Sequence, residues 1–572
     1  MAANSLFRRV REYRRIASDW TLLAGLAVTV IVLAIAILLP LFKILGTAFS
    51  REAIPIIQYH LTSPVSQRIF LNTIKLGILV GLFGTGLGFL FAFVQVRVDA
   101  PFKKIMNLMG LLPIVSPPFA VATAAIVLFG RSGIITYKLL GLRLNIYGMP
   151  GLTFVLVLSL FPVAYMNILG MMQALDPALD EAATNLGAGK WKVFTTITLP
   201  MLIPGIASSF LLLFVEAIAD LANPLVLGGD FTVLASRIYI AITGEYDVLA
   251  GAALSVILLV PSLTVFVLQR YWVSRKSVIS VTGKPSGTPQ LIKAPFAKWT
   301  LFGLTALFSL LIFLVYGTVF VGAFTQLLGI DNTFTLEHFR FVLFGYGSQA
   351  IINTTTLSLA ATPIAGILGM LIAWLVIRKQ FTGRTVLDFT SMLGIAIPGT
   401  VIGIGYVLAF RQANGIGNLI LLPSLAGGTA LAGGAIAIVM AYVIRSIPAG
   451  VRSGVSSLQQ IDPAIEEASI SLGADSATTF RKITLPLIRP AFLAGLVYSF
   501  ARSMTSLSAI IFLTTPRTKI MTAQILNEVD AGRFGNAFAY CVLLILIVLA
   551  VIEGLNMIVS HRTDVRNLGG SL

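Results

Sequence analysis

Long apolar runs separated by short polar segments divide this chain from end to end. About 20 apolar residues are enough for an α-helix to cross the hydrocarbon core of a bilayer, and residues 271–298, rich in Gly, Pro, Ser and Lys, separate six such runs from six more. The pattern predicts transmembrane helices at 21–41, 72–96, 105–129, 151–173, 203–226, 248–269, 299–325, 353–377, 386–410, 427–448, 490–513 and 537–560.

This pattern predicts an all-α polytopic membrane protein with about 12 transmembrane helices. We expect a first half at 1–270, a cytoplasmic linker at 271–298 and a second half at 299–572. The composition agrees, because 57% of the residues are hydrophobic and 11% are charged, against roughly 25% charged in soluble domains. The single Cys541 excludes a disulfide framework, and the three histidines are too scattered for a metal cluster.

One polar segment occurs twice, after the fourth apolar run of each half. The first copy, Leu175 to Gly205, reads LDPALDEAATNLGAGKWKVFTTITLPMLIPG, and the second, Ile461 to Ala491, reads IDPAIEEASISLGADSATTFRKITLPLIRPA. The copies align without a gap at an offset of 286 residues, which is half of the 572-residue chain. A repeat of this kind indicates a tandem duplication. We call residues 175–203 the first knob and residues 461–489 the second knob.

Each knob has the signals of two short helices that lie outside the bilayer. Asp176 before Pro177 is typical of a helix start, because the aspartate caps free N–H groups and proline suits the first turn. Gly187 is expected to end that helix, since glycine adopts the left-handed conformation easily. Leu199-Pro200 is then expected to turn the chain into the next apolar run.

The spacing in the knobs resembles the "EAA loop" of permease subunits of binding-protein-dependent ABC importers. The first copy has Glu181-Ala182-Ala183, then Gly187, Ile197 and Leu199-Pro200. The second has Glu467-Ala468 and Gly473 at the same spacing but carries Ser469 in the third position. The alternative is a pair of amphipathic helices that simply link two spans. The resemblance implies the type I ABC importer permease fold, with two parallel six-helix repeats.

In the family that the chain resembles, such loops couple the permease to two copies of an ABC ATPase. The resemblance therefore implies coupling residues in both knobs and a partner that holds ATP and Mg, together with a periplasmic substrate-binding protein. Those residues are Glu181, Ala182, Gly187, Glu467, Ala468 and Gly473. The chain itself is not expected to be an enzyme or to bind a cofactor, because the stretch Gly187 to Trp191 lacks the glycine and the Ser or Thr of a P-loop.

The basic residues predict the orientation in the membrane. With both termini in the cytoplasm, most of the 40 Lys and Arg residues fall in cytoplasmic segments, as the positive-inside rule requires. Both knobs then face the cytoplasm of a bacterial cell with the chain in its inner membrane. The net charge of +17 is thereby explained by topology and anionic lipid rather than by nucleic acid. Six spans are an even number, so the halves are parallel repeats.

Charged residues inside the apolar runs mark a candidate translocation path. Glu216 and Asp220 lie four apart in the fifth run and are expected on one helical face. Their counterparts at the same offset, Arg502 and Ser506, would lie opposite them across the pseudo-two-fold axis. One hypothesis is that these four residues line the path, because an intramembrane charge is a functional candidate by default. The other is that Glu216 and Arg502 form a buried pair that holds the halves in register.

The substrate is indicated only by resemblance. Fused two-half permeases of this length resemble ferric iron importers, and the stretch Glu216 to Gly229, EAIADLANPLVLGG, is similar to their pattern. Acidic path residues also favour a cation. Relatives of the same class handle thiamine, 2-aminoethylphosphonate or polyamines. An ion-coupled secondary transporter is a further alternative, and a membrane enzyme is disfavoured because no catalytic constellation is present.

Overall fold

The computed structural model describes residues 20–273, 291, 292, 294–345, 347–416 and 419–568. Most of them lie in helices, as the apolar pattern predicts. Most of the predicted linker at 271–298 lies outside the described residues, and the next helix begins at Pro295, before the predicted end of the linker. Two short hairpins, β1 (Thr325–Leu327) with β2 (Asp331–Phe334) and β3 (Asn414–Ile416) with β4 (Leu419–Leu422), are the strand pairs in the part of the chain that is described.

The helices of the first half include both long spans and short connecting turns. They are α1 (Trp20–Leu33), α2 (Leu39–Ala48), α3 (Ile54–Thr62), α4 (Pro64–Arg97), α5 (Lys103–Val115), α6 (Phe119–Phe129), α7 (Met149–Ala174), α8 (Pro177–Asn185), α9 (Lys190–Val193), α10 (Leu199–Ala219), α11 (Ala222–Leu227), α12 (Leu234–Thr243) and α13 (Val248–Leu268). Short π-helical turns occupy Ala34–Leu38, Ile134–Leu139, Phe194–Thr198 and Gln269–Val273.

The second half repeats this order. Its helices are α14 (Pro295–Ala323), α15 (Glu337–Phe344), α16 (Ser348–Arg378), α17 (Arg384–Ala396), α18 (Gly399–Phe410), α19 (Ala435–Gln460), α20 (Pro463–Ser471), α21 (Ser476–Thr479), α22 (Leu485–Met504), α23 (Met521–Asp530) and α24 (Phe534–Leu568). A π-helical turn at Phe480–Thr484 precedes α22, and a 3₁₀ turn at Leu431–Gly434 precedes α19.

Within the described residues, 11 helices are long and apolar enough to cross a membrane, and a bent pair raises the number to 12. The number agrees with the apolar runs, but two spans are not single helices. The span expected at 386–410 is α17 and α18, which meet at an angle of 106°. The span expected at 105–129 is likewise divided into α5 and α6 around Pro117-Pro118. Proline lacks the N–H that would continue a helix, so both breaks fall where proline occurs.

The core of each half is a set of three long helices. In the first half α4 packs against α7 and α10, and in the second α16 packs against α19 and α22. Glycine permits the closest approach in both sets. A Cβ on Gly88 would lie 2.7 Å from the backbone N of Tyr165, and one on Gly369 would lie 2.9 Å from the backbone of Gly450. Small residues at helix interfaces allow this proximity in membrane proteins.

The first span of each half packs against the other half. The α1–α2 segment contacts α16 and α18 of the second half, and α14 contacts α5 and α6 of the first. Side-chain hydrogen bonds fix both contacts. The Tyr406 hydroxyl donates to the carbonyl of Ala36 at 2.9 Å, and the hydroxyls of Ser116 and Tyr316 are 2.7 Å apart. The halves are therefore interlocked rather than joined only by the linker.

An Asn-Thr pair near the start of α4 is repeated near the start of α16. Each pair bonds to the chain near the start of a later helix of the same half, α12 or α23. The Asn72 amide donates to the carbonyl of Thr232, while the Thr73 hydroxyl accepts from the N–H of Leu234 at 2.8 Å. In the second half, Thr354 accepts from the N–H of Met521 at the same 2.8 Å distance. These bonds fix the start of α12 and of α23 against the long helix of the same half.

Candidate coupling loops and translocation path

Both knobs begin and end in the same way. The Asp176 carboxylate accepts from the N–H of Ala178 at 3.0 Å, and Asp462 accepts from Ala464 at 2.9 Å, so an aspartate caps each first helix. The helices end at a left-handed glycine, Gly187 with φ 82° and Gly473 with φ 89°. Both ends are as the sequence predicts.

The second part of each knob differs from the prediction that Leu199-Pro200 turns the chain. In the first knob one continuous helix runs from Lys190 to Ala219, and its last turn before α10 is the π-helical segment Phe194–Thr198. A π-turn bonds each N–H to a carbonyl one residue further back than an α-turn does. The backbone hydrogen-bond pattern therefore shifts just before Pro200, which has no N–H to donate. The helix then continues into the membrane without a turn.

The outer surface of each knob carries a leucine at its tip. Glu181 and Ala182 are exposed in the first knob, as are Glu467 and Ala468 in the second. Beyond them, Leu186 is 88% exposed and Leu472 is 89% exposed, and the two are equivalent at the 286-residue offset. These two leucines were not predicted from the sequence. The available signal was an identical leucine directly before the helix-ending glycine in both copies.

A buried ion pair anchors each knob to the long helix of its half. Arg97, the last residue of α4, donates to the carboxylate of Asp180. At the equivalent place Arg378 Nε donates to Glu466 Oε1 at 3.1 Å, and its Nη2 also donates to the carbonyls of Leu458 and Ile461. Neither acid was predicted from the sequence to be a functional residue. Their signal was an acidic residue before each Glu-Ala pair, matched by an arginine ending each long helix.

Aromatic and polar contacts complete the attachment. Phe93 meets Phe194 edge-on at 5.5 Å between ring centroids in the first half, and Trp374 meets Phe480 at 5.3 Å in the second. Ser469, which departs from the Glu-Ala-Ala pattern, is buried and its hydroxyl lies 2.9 Å from that of Thr479. The first knob has Ala183 and Val193 at these places. An apolar pair is thus replaced by a hydrogen-bonded pair, so the departure preserves the packing.

The anchors give a prediction for stability. Asp180→Asn is expected to lower the free energy of unfolding by about 3 kcal/mol, because Arg97 would keep its buried charge without a carboxylate. Glu466→Gln is expected to act in the same direction in the second half. The measurement is the melting temperature of the purified chain in detergent. Asp230→Asn is the control, since that aspartate is exposed on a loop; equal melting temperatures for Asp180→Asn and the control would contradict the anchor.

The intramembrane charges of the two halves meet at the ends of α10 and α22. Arg502 Nη2 donates to Glu216 Oε1 at 3.0 Å and to Oε2 at 3.2 Å. Both side chains are 28% exposed, so the pair borders an accessible space between the halves. The two residues are equivalent at the 286-residue offset, which places them on either side of the pseudo-two-fold axis.

Asp220 lies at the C-terminal end of α10, one turn beyond Glu216, rather than inside a continuous span. Helix α10 ends at Ala219, and Asp220 is extended with ψ 130°. Its Oδ2 accepts from both the backbone N–H and the side-chain amide of Asn223, each at 3.0 Å, and this bonding starts the short helix α11. Ser506 likewise lies beyond the end of α22 and is buried, with its carbonyl accepting from Thr522. The expected spans at 203–226 and 490–513 are therefore too long at their ends.

Helix α19 carries two arginines that were not predicted from the sequence, and one of them, Arg445, lies beside this pair. Arg445 and Arg452 are two turns apart on α19, which extends well past the predicted end of its span at 448. Arg445 interacts electrostatically with both Glu216 and Arg502, and its Nη1 lies against Gly399, where a Cβ would be only 2.7 Å away. Tyr498 of α22 interacts with Arg445, Arg452 and Arg502.

A wide cavity opens on the face away from the knobs. It has a volume of about 920 Å³, and Arg68, Arg131 and Lys138 are among its lining residues, together with Asp230. Arg68 lies near the start of α4, whereas Arg97 at the other end of that helix holds the first knob. The 29 residues between them correspond to about 44 Å along the helix axis. The cavity and the knobs are therefore on opposite faces of the membrane.

A duplicated bundle of transmembrane helices with one exposed knob in each half defines an importer permease. The chain belongs to the family of binding-protein-dependent transport system inner membrane components, whose pattern matches residues 84–278 and again residues 365–565. The two matches confirm the fused two-half permease and the type I permease fold expected from the sequence. They also agree with a multi-pass protein of the inner membrane.

Several relatives span most of the chain or one half of it. The ferric transport system permease protein FbpB of Actinobacillus pleuropneumoniae is 36% identical over 513 residues, covering 86% of this chain and 71% of that relative. The Fe(3+)-transport system permease protein FbpB 2 of Haemophilus influenzae is 24% identical over 494 residues, covering 84% and 88% respectively. The molybdenum transport system permease protein ModB of Escherichia coli is 30% identical over 227 residues, covering 38% of this chain and 96% of that protein.

Proposed function

We propose that this chain is the permease subunit of an ATP-driven importer that takes up ferric iron. The observation that carries the proposal is the pair of equivalent knobs, each capped, glycine-ended, anchored and apolar at its tip. A pseudo-two-fold pair of equivalent docking surfaces suits two identical partners. Similarity to ferric transport permeases over most of the chain supports iron as the substrate.

Coupling follows from how rigidly each knob is fixed. Two ABC ATPase subunits would bind the knobs in the cytoplasm, with both chain termini on that side and with ATP and Mg held on the ATPases rather than on this chain. Glu181 and Glu467 would meet the ATPase surface beside Leu186 and Leu472, all four of which are exposed. Because the ion pairs tie the knobs to α4 and α16, a displacement of the knobs would move those long helices.

Alternating access would arise as the two halves rock against each other. The Glu216–Arg502 pair joins α10 to α22 across the pseudo-axis and would part or re-form as the halves move. Substrate would arrive from a periplasmic binding protein at the face that carries the 920 Å³ cavity. The pair would then have both roles predicted from the sequence. It would hold the halves in register, and by doing so it would close the path between them.

The test is uptake by proteoliposomes that contain the chain, its ATPase and its binding protein. We expect ⁵⁵Fe accumulation that requires hydrolysable ATP and the iron-loaded binding protein. Thiamine, 2-aminoethylphosphonate and spermidine should not accumulate under the same conditions. Replacement of ATP by a non-hydrolysable analogue is the control and should abolish uptake.

Two other results would change the proposal in different ways. ATP-dependent uptake of one of the other solutes would keep the importer and discard iron. Iron uptake driven by an ion gradient with no ATPase present would contradict coupling through the knobs and would favour a secondary transporter.

A further inference from the structure

The charges along the space between the halves are distributed unevenly. The second half contributes Arg445, Arg452 and Arg502, whereas the equivalent positions of the first half, at the 286-residue offset, are Ser159, Met166 and Glu216. The duplication therefore produced one carboxylate facing three guanidinium groups. Such a surplus is expensive inside a membrane unless water or a bound partner compensates it.

The three arginines lie at different depths along their helices. Measured along their helices from the knob side, Arg452 is eight residues from Gln460, Arg445 is 15 residues from it, and Arg502 is 17 residues from Leu485. At 1.5 Å per residue these positions are about 12, 22 and 26 Å from the knob side. The positive charge therefore extends over about 14 Å, roughly half of the hydrocarbon core, rather than forming one local cluster.

The nearby acids offset only part of this charge. Glu216 accepts from Arg502, and Asp220 Oδ2 accepts from the two N–H groups of Asn223, so two carboxylates stand against three guanidinium groups. Arg445 makes no ion pair within 4 Å in the described part of the chain, and its buried Nε has no acceptor. Guanidinium groups present several N–H donors in a fixed plane and bind oxyanions with two bonds at once. An oxyanion in the path would supply the acceptor that Arg445 Nε lacks.

We propose that the path between the halves serves an anionic cargo, so that ferric iron crosses as a complex with an excess of negatively charged oxygen ligands. This inference rests on the proposed importer function and replaces the view that acidic path residues select a bare cation. The charged cavity on the opposite face agrees with it, because Arg68, Arg131 and Lys138 line that cavity with Asp230.

The electrostatic potential in the path can be probed without cargo or partner subunits. A Met166→Cys variant places a thiol at the exposed first-half position that is equivalent to Arg452, while the native Cys541 is buried. We expect an anionic methanethiosulfonate to react at least ~10-fold faster than a cationic one, after correction for their rates with a free thiol, because a positive cleft concentrates anions. Adding Arg445→Gln and Arg452→Gln should reduce that preference towards unity.

The control is Arg411→Gln, which removes an exposed arginine outside the path and should leave the preference unchanged. A faster reaction of the cationic reagent, or equal rates for both reagents, would overturn the anionic path whatever the importer carries. This result depends only on the permease, so it is separate from the iron assignment.

Dual-label uptake then tests the cargo itself. The binding protein is loaded with ⁵⁵Fe together with ³²P-phosphate, ¹⁴C-citrate or ¹⁴C-bicarbonate in separate reactions. We expect one anion label to accumulate with iron at a fixed ratio. Iron without any anion label would overturn the inference but keep the iron importer. Uptake of a labelled anion without iron would keep the anionic path and discard the iron assignment.

Discussion

Replacing Leu186 and Leu472 together by aspartate is expected to abolish ATP-driven uptake while leaving the fold intact. Each side chain is almost fully exposed, at 88% and 89%, so it contributes little to packing within the chain. An exposed leucine at the tip of a protruding knob has the character of a binding anchor. Loss of such an anchor costs about 2 kcal/mol, which weakens docking roughly 30-fold at each knob.

The measurements are uptake in proteoliposomes, retention of the ATPase during purification, and the melting temperature of the chain. Leu186→Met with Leu472→Met is the matched control, because methionine keeps the apolar surface, and it should retain both uptake and the ATPase. Single aspartate variants show whether one docked knob suffices. Normal uptake by the double aspartate variant would remove the leucines from the proposed interface.

Glu216→Ala is expected to cost about 3 kcal/mol of stability and to impair transport, because it leaves Arg502 and Arg445 without a carboxylate inside the membrane. Because the two halves are pseudo-symmetric, exchanging the two charged residues should restore the lost ion pair. Glu216→Arg combined with Arg502→Glu exchanges the residues of two equivalent positions, so the ion pair can re-form in nearly the same geometry. The exchange should recover most of the melting temperature that Glu216→Ala loses.

Comparison of the swap with each single substitution separates pairing from general disruption. Glu216→Arg alone brings a third guanidinium next to Arg445 and Arg502 and should be the least stable of the set. If Glu216→Ala matches the wild type in melting temperature and uptake, the pair neither holds the halves together nor closes the path. If the swap is no better than the single variants, the observed contact is not the source of the stability.

The ends of the knob helices were predicted correctly, because the sequence signals that set them act over only a few residues. An aspartate followed by proline specifies a helix start within a few residues, and a glycine before a second polar helix specifies its end, so the knob geometry around Asp176 and Gly187 agreed with expectation. The Glu216–Arg502 contact was also predictable, because duplication makes equivalent positions face one another across an axis. In that case the sequence offset replaced three-dimensional information.

Features that depend on tertiary contacts were not predictable in the same way. The end of α10 at Ala219 is set by the bonding of Asp220 to Asn223, which an apolar run does not reveal. The span expected to end at 448 continues to Gln460 because α19 packs against α16 and α22. The hydropathy pattern therefore placed Arg452 outside the predicted membrane span. The anchors escaped notice because Arg97 and Asp180 are 83 residues apart.

Because the first span of each half packs against the other half, the order of synthesis affects assembly. The α1–α2 segment emerges from the ribosome first, yet its partner α18 ends at Phe410, about 360 residues later. At roughly 5–20 residues per second, the segment waits about 20–70 s in the lipid before its docking groove exists. A highly apolar span can wait in this way without aggregating in water. Closure of the N-terminal segment over the second half therefore follows completion of the first core and has to wait for the synthesis of α16 and α18.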